Sequence, residues 1–298
     1  MARGYIVSTP RVSQQSGMSY LTEVTALLQR ARQHHPTKGL WEAADLQWWW
    51  RTPRITDDQP KLFWHDEHGP VAAAVATDWG STTGLEVIAL PSVEASLLRE
   101  VFEGALGLAT DLASAEMLVD DEDEALIGLL KGTGFHPLSM DLTAWIGAAA
   151  VPKVSGLADG YSLHSRASNT STDYHYARRN GPEAEDRLRQ TSLYRPDLDL
   201  FVVDHQGEVV AYGLFWYDLA TGVGLVEPMR TEQPHQGRGL ACHVLSTGIR
   251  KLVAAGSERV KVSYEADNGS AVALYLGAGF EPTMTCSVWS ATVNRPRP

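Results

Sequence analysis

Two short words recur in the same order along this chain, and a chain that repeats itself folds one supersecondary design twice. Leu62-Phe63-Trp64-His65-Asp66-Glu67-His68-Gly69 resembles Leu200-Phe201-Val202-Val203-Asp204-His205-Gln206-Gly207, 138 residues later. Gly132-Thr133-Gly134-Phe135-His136-Pro137 resembles Gly277-Ala278-Gly279-Phe280-Glu281-Pro282, 145 residues later. The growth of the offset from 138 to 145 places extra residues between the two words of the second copy. That length accommodates the loop around Gln236. The first copy instead runs Leu85-Glu86-Val87-Ile88-Ala89-Leu90-Pro91 into a helix with no glycine-rich turn.

A length of 298 residues suits two such domains. The predicted boundaries are 1–150 and 157–298, joined by the small, period-free stretch Ala148–Gly156. In the first half the pattern predicts helices at 17–34 and 40–50 and strands near 61–66, 70–78 and 84–90. A helix follows at 94–107, a strand at 115–119, a helix at 122–131 and a strand near 138–146. The run Trp48-Trp49-Trp50 reads first as packing for its helix and second as a stacking platform for a ligand. Arg166–Arg189 is polar and helical in parts.

In the second half Glu208–Tyr217 is apolar on both faces, as a strand buried on both sides is. Val223–Thr231 is the next strand. Glu232–Gly239 is a loop, because Pro234, Gly237 and Gly239 do not belong in a strand interior. From Leu240 an apolar stripe recurs through Val244, Leu245, Ile249, Leu252 and Val253, and Gly256 stops that helix. Val260, Val262 and Tyr264 alternate with Lys261, Ser263 and Glu265, a half-buried strand. Asp267 or Asn268 caps a short helix with Ala271, Leu274 and Tyr275, and a strand near 283–293 closes the domain. The fold class is therefore α/β (α+β): two tandem domains, each a mixed central sheet flanked by helices.

A glycine-rich loop that opens a helix presents unpaired backbone N–H groups and the positive end of the helix dipole. Gly237 and Gly239 let an anion approach the backbone. The chemistry of Gln236–Ala241 is thus anion binding, and phosphate is the natural ligand. The net charge of −11 leaves no basic surplus for a nucleic acid. Two cysteines, Cys242 and Cys286, make neither a disulfide framework nor a zinc pattern, so no metal is expected. No apolar run is long enough for a membrane span and the first residues lack a signal-peptide core, so the expected location is the cytoplasm.

Gln236-x-x-Gly239-x-Ala241 resembles the signature of the GNAT N-acetyltransferases. It follows a strand, opens an amphipathic helix, and precedes Asn268…Ala273-Leu274-Tyr275…Gly279-Phe280 at that family's spacing. The resemblance covers about residues 200–292, and the first half resembles a degenerate GNAT domain without the signature. It implies an acetyl-coenzyme A-dependent acetyltransferase with a primary amine as acceptor, most simply a small molecule. The alternatives are a protein lysine or N-terminus as acceptor, or a non-catalytic acyl-coenzyme A sensor. It further implies that the backbone from Gly237 to Ala241, with Gln236, Arg238 and Leu240, holds the pyrophosphate. Met229, Arg230 and Thr231 lie along the pantetheine arm, and Asn268 touches the coenzyme or the neighbouring loop. A monomer or homodimer is expected.

The reaction needs a neutral amine, a donor for the developing oxyanion and a proton for the leaving thiolate. Glu227 is the candidate base, through a water; its bland alternative is a structural ion pair with Arg230. Tyr275 is the candidate acid; its bland alternative is a core aromatic. His235 reads as a solvated loop histidine, Arg238 as a phosphate partner or a solvent-facing cation, and Cys242 as a small packed residue.

Overall fold

A computed structural model describes residues 10–109, 114–170 and 173–292. Along the first half run β1 (Arg11–Gln15), α1 (Gly17–His34), α2 (Ala43–Trp49), β2 (Lys61–Asp66), β3 (Gly69–Asp78) and β4 (Thr83–Ala89). α3 (Ala95–Leu108), β5 (Ser114–Asp120), α4 (Glu124–Gly132) and β6 (His136–Gly147) complete it. The second half contains β7 (Ser162–Ser165), α5 (Ala177–Asn180), α6 (Ala184–Gln190), β8 (Asp199–Val203), β9 (Val209–Asp218) and β10 (Val223–Thr231). α7 (Leu240–Ala254), β11 (Arg259–Glu265), α8 (Gly269–Gly277) and β12 (Glu281–Thr292) follow. The architecture is the expected repeated α/β design. β1 and β7 were not anticipated: one is mostly polar and exposed, the other short and polar, so neither shows an alternating apolar pattern.

Each apolar stripe is buried where the spacing predicts. α1 buries Tyr20, Leu21, Val24, Leu27 and Leu28. α7 buries Leu240, Val244, Leu245, Ile249 and Leu252, and approaches β9 so closely that a Cβ on Gly248 would collide with the Phe215 ring. α4 and α8 are capped by side chains, Asp123 on the Leu126 N–H at 2.9 Å and Asn268 on the Ala271 N–H at 3.1 Å.

The elements gather into two compact units that do not follow the halves 1–150 and 157–298. One holds the described residues up to Gly39, Arg54–Leu138 and those from Ser287 onward; the other holds Leu40–Pro53 and Ser139–Cys286. The physical cause is strand exchange. β6, the last strand of the first copy, pairs antiparallel with β11 from Asp141 to Gly147. β12, the last strand of the chain, follows β5 in the strand order. The stretch 148–156 is no free linker: Ser155 accepts from His243 Nδ1 at 2.6 Å through its carbonyl and donates its N–H to Ser246 Oγ at 3.2 Å, both on α7.

In the first unit the strands run β1-β2-β3-β4-β5-β12, antiparallel as far as β4 and then parallel from β4 to β5. In the second they run β6-β11-β10-β9-β8-β7 with the corresponding parallel step between β10 and β11. Matched elements begin 140 residues apart at β4 and β10 (83 and 223), but 145 apart at α3 and α7 (95 and 240). Most of the extra residues, about five of the seven, therefore lie in β10 and the connection after it; the other two lie earlier, between the starts of β8 and β9.

The α2 segment is fastened inside the second unit by a buried ion pair. Lys261 on β11 is wholly buried, not solvent-facing as simple alternation suggests, and its Nζ lies 3.4 Å from Glu42 Oε1. Glu42 is also the N-cap of α2, in a reciprocal capping box with Asp45. Removing one partner of a buried pair strands the other charge. Lys261→Met is therefore expected to lower the unfolding free energy by about 3–5 kcal/mol. Equilibrium urea denaturation checks this, and a loss below about 1 kcal/mol would place the pair among the weak surface bridges.

Candidate functional site

The site begins where the sheet of the second unit comes apart. β10 and β11 pair in parallel through Val223–Arg259, Gly224–Val260 and Leu225–Lys261, and the pairing stops there although both strands continue. On its other edge β10 stays paired to β9 as far as Thr231–Ala211, but slips register between Val226 and Met229. Glu227 and Pro228 there oppose Leu214, a β-bulge that turns the strand and re-aims its side chains. The simple alternation expected for Glu227, Met229 and Thr231 does not run through the bulge. β4 pairs with β3 without such a slip.

Glu227 is held in this bulge. Its carbonyl accepts from Trp216 Nε1 at 2.8 Å. Burial pushes the Glu227 pKa up to about 7. The Asp45 charge adds to the rise, while the Arg51 charge and the Trp48 side chain oppose it. Arg230 is not its partner: that guanidinium pairs with Glu232 at 3.1 Å, and Glu232 also accepts from Arg179 at 2.9 and 3.0 Å.

Tyr275 is buried on α8, stacked on Tyr264 with centroids 5.1 Å apart and edge-on to Phe280 at 5.8 Å. Its pKa is raised by burial and then by the negative charges of Glu227 and Tyr264, so the phenol keeps its proton at neutral pH. The Tyr275 phenol thus lies within electrostatic reach of Glu227. Met229 passes so close to β9 that its sulfur occupies the place of a Cβ on Gly213, and the Thr231 hydroxyl is buried with no hydrogen-bond partner among the described residues.

β10 leads into a 3₁₀ turn, Gln233–His235, and then into the glycine loop. Gln236 Nε2 donates to the Thr231 carbonyl at 3.1 Å, tying the loop to the strand. Gly237 and Gly239 have φ of 72° and 76°, a left-handed backbone suited to glycine, and no atom lies within 4 Å of where their Cβ atoms would be. Gly239 is the N-cap of α7 and offers no side-chain cap, in contrast to α4 and α8. His243 N–H reaches back to the Gly239 carbonyl at 3.0 Å, so the N–H groups before it open outward. Leu240 is buried beneath the loop, Ala241 is half-buried, and Arg238 is exposed with no carboxylate paired to it among the described residues.

Two expectations are corrected. His235 is half-buried, and its Nδ1 lies 2.9 Å from the Tyr161 hydroxyl, which excludes a freely solvated ring. Cys242 is exposed, because it falls on the outer side of a helix whose apolar stripe begins at Leu240. Asn268 spends its Oδ1 on capping α8.

Residues 165–280 match the Acetyltransferase (GNAT) family. This segment is a GNAT acetyltransferase domain. No curated protein matches the sequence. Among solved structures the fold is similar to a tandem GNAT protein from the clavulanic acid biosynthesis pathway. That likeness has a TM-score of 0.69 at 15% identity, over 97% of this chain and 100% of that one. It is also similar to a GCN5-related N-acetyltransferase from Sphaerobacter thermophilus, with a TM-score of 0.62 at 15% identity over 95% and 96% of the two chains. A putative acetyltransferase from Pyrococcus horikoshii gives 0.58 at 11% identity, over 99% and 93%. At these identities the likeness is one of fold, and it runs along nearly the whole chain.

The sequence did not reveal the polar groups around the domain's buried carboxylate. Trp48 signals burial by type, but nothing in a tryptophan run announces its edge-on contact with Tyr176 or the Arg51 guanidinium over its ring. Asp199 was equally hidden. It is fully buried on β8, accepts from the Tyr174 and Tyr194 hydroxyls at 3.0 and 2.8 Å, and lies 3.0 Å from His175.

A carboxyl with a pKa of about 7 in the fold and near 4.3 in the unfolded chain binds its proton more tightly when folded. Its contribution is fully present below pH 4 and is lost as pH rises to about 7. Glu227→Gln removes that cost, so the variant should be more stable than wild type above pH 7, by on the order of 3–4 kcal/mol. At pH 4 the two should match. Denaturation at both pH values reads this out, and equal stability at pH 8 would count against a buried carboxylate.

Proposed function

We propose that the GNAT domain transfers an acetyl group from acetyl-coenzyme A to the primary amine of a small molecule. The observation that carries this reading is the uncapped N-terminus of α7, opened by two left-handed glycines beside an unpaired stretch of β10. The donor set fits a pyrophosphate. Its N–H groups belong to an uncapped first turn, the helix dipole favours negative charge, and the open space at both glycines admits a bulky anion. Gln236 braces that loop, Leu240 and Ala241 extend its N–H row, and Arg238 supplies a mobile cation. Met229, Arg230 and Thr231 run along the pantetheine arm, with main-chain groups of Met229 and Thr231 as its partners. Asn268 borders it from the α8 cap.

Acetyl-coenzyme A supplies an activated acyl group on a thiol leaving group. The chain's own residues handle the protons. Glu227 takes one from the acceptor ammonium, directly or through water, and a pKa near 7 lets it both receive and release that proton at neutral pH. Tyr275 retains its phenolic proton and delivers it to the departing sulfur. The buried hydroxyls of Tyr176, Thr231 and Tyr264 have no partner within the described residues.

Calorimetric titration with acetyl-coenzyme A should show binding to wild type and none to Gly239→Trp, because an indole there fills the approach to the N–H row. Unchanged affinity in the variant would remove the pyrophosphate assignment. Thiol release should be followed with a panel of amino sugars, amino-acid amides and polyamines. Glu227→Gln and Tyr275→Phe are expected to lower turnover about 10²–10⁴-fold and to leave acetyl-coenzyme A affinity largely intact. Wild-type rates in both would overturn these roles.

A further inference from the structure

The chain from 151 to 161, ahead of β7, is neither helix nor strand, yet it is fastened on both sides of the glycine loop. Val151, Leu157 and Tyr161 pack half-buried against the core of the second unit. Ahead of the glycines, the Tyr161 hydroxyl lies 2.9 Å from His235 Nδ1, and the two rings meet edge-on with centroids 5.8 Å apart. Behind them, His243 Nδ1 donates to the Ser155 carbonyl at 2.6 Å. The Ser155 N–H bonds to Ser246 Oγ at 3.2 Å, and that hydroxyl donates to the Cys242 carbonyl at 2.7 Å. His235 stands two positions before Gly237, and His243 four positions after Gly239. One segment therefore holds both ends of the loop, each time through the nearer nitrogen of a histidine ring.

Such a loop needs holding. Glycine loses more conformational freedom on ordering than any other residue. A row of N–H groups that must be lined up during binding costs affinity, whereas one already lined up does not. Gln236 braces the loop from within, on the Thr231 carbonyl at 3.1 Å. The braces at His235 and His243 come from outside it and have opposite hydrogen-bond polarity. A carbonyl only accepts, so His243 Nδ1 bears a hydrogen. A phenol is a stronger proton donor than a neutral imidazole N–H, so Tyr161 donates and a neutral His235 bears its hydrogen on Nε2. Apolar contact has no direction; these two bonds do, and they specify where the ends of the loop lie.

We propose that 151–161 is a bracket that presets the phosphate-binding backbone of Gly237–Ala241. Tyr161 and Ser155 are its positioning residues, acting through His235 and His243. The bracket has this function only if that loop is the pyrophosphate site. A stretch that reads in the sequence as a linker is then part of the framework of the coenzyme site.

The full-length protein tests this. In ligand-free, ¹⁵N-histidine-labelled protein at about pH 8.5, where an ordinary imidazole is neutral, His235 should appear as the Nε2–H tautomer and His243 as the Nδ1–H tautomer. Each ring is assigned by its loss in the alanine variant. Tyr161→Phe keeps the ring and removes the bond. It should erase the tautomer preference of His235, leave that of His243, and weaken acetyl-coenzyme A binding about three- to tenfold in calorimetric titration. His243→Ala should weaken it by a similar factor. His243→Asn, whose amide N–H stands in for Nδ1–H, should bring affinity back to within about twofold of wild type, which a merely space-filling role would not allow. Wild-type affinity in either Tyr161→Phe or His243→Ala, equal losses in His243→Asn and His243→Ala, or a His235 tautomer untouched by Tyr161→Phe would overturn the bracket. Should Tyr161→Phe fail to fold, the two His243 variants still decide the matter. Gly239→Trp distinguishes the two layers. If it binds acetyl-coenzyme A as wild type does, the pyrophosphate reading falls and the bracket's function with it. If it alone loses binding, the loop is the site and the bracket does not set it.

Discussion

The second unit depends on one lysine without exposed surface. Lys261 is the last β11 residue paired to β10 before the strands part, and its ammonium meets Glu42 at the start of α2. An ion in that position is expensive to desolvate and tolerable only with its counter-charge in place. The pair therefore makes α2 obligatory: without that helix the sheet would hold an uncompensated cation beside the place where its strands diverge. The capping box continues the chain of dependence, because the same Glu42 organises the first turn that presents Asp45. A buried polar link of this kind specifies where a segment docks more narrowly than apolar area does.

The two copies differ at one end of the same strand and in the connection that follows it. β4 carries Glu86, buried, with its pKa pushed up to about 8 by desolvation, one residue out of step with the Glu227 position of β10. A buried carboxyl is thus common to both. The bulge is not, and neither is the glycine loop: Leu90–Glu94 joins β4 to α3 where Glu232–Gly239 joins β10 to α7. The difference is one of backbone. A slipped register and two left-handed residues turn a sheet edge and a helix start into a row of outward N–H groups.

Much of this was legible in the sequence, for identifiable reasons. α1, β2, α3, α7 and β11 lie within a residue or two of their predicted places, because each has a strong apolar period closed by glycine or a polar turn. The loop was legible because Gly237 and Gly239 have few other uses in such a context. Lys261 was misjudged: alternation says which way a side chain points, but not whether another segment covers that side. The unit boundaries were hidden for the same reason. Pattern follows the order of the chain, and neither the exchange of β6 and β12 nor the placing of α2 leaves a local trace. Cys242 shows the opposite error, in which a residue type usually buried lies on the outer face of a helix.

The strand exchange has a consequence for how the protein is made. As the chain leaves the ribosome, the first unit has β1 to β5 early, yet the strand that follows β5 in its sheet, β12, is made only after the strands of the second unit. Until β12 emerges, β5 is an open edge with unpaired N–H and C=O groups, the kind of edge that recruits other chains. β6 meanwhile waits for β11, more than a hundred residues behind it. Neither unit can be completed in the order of the message, and each last strand is a check that the rest of the chain has arrived. Vectorial synthesis and topology are at odds here, and a truncated product would expose β5 rather than fold as a smaller protein.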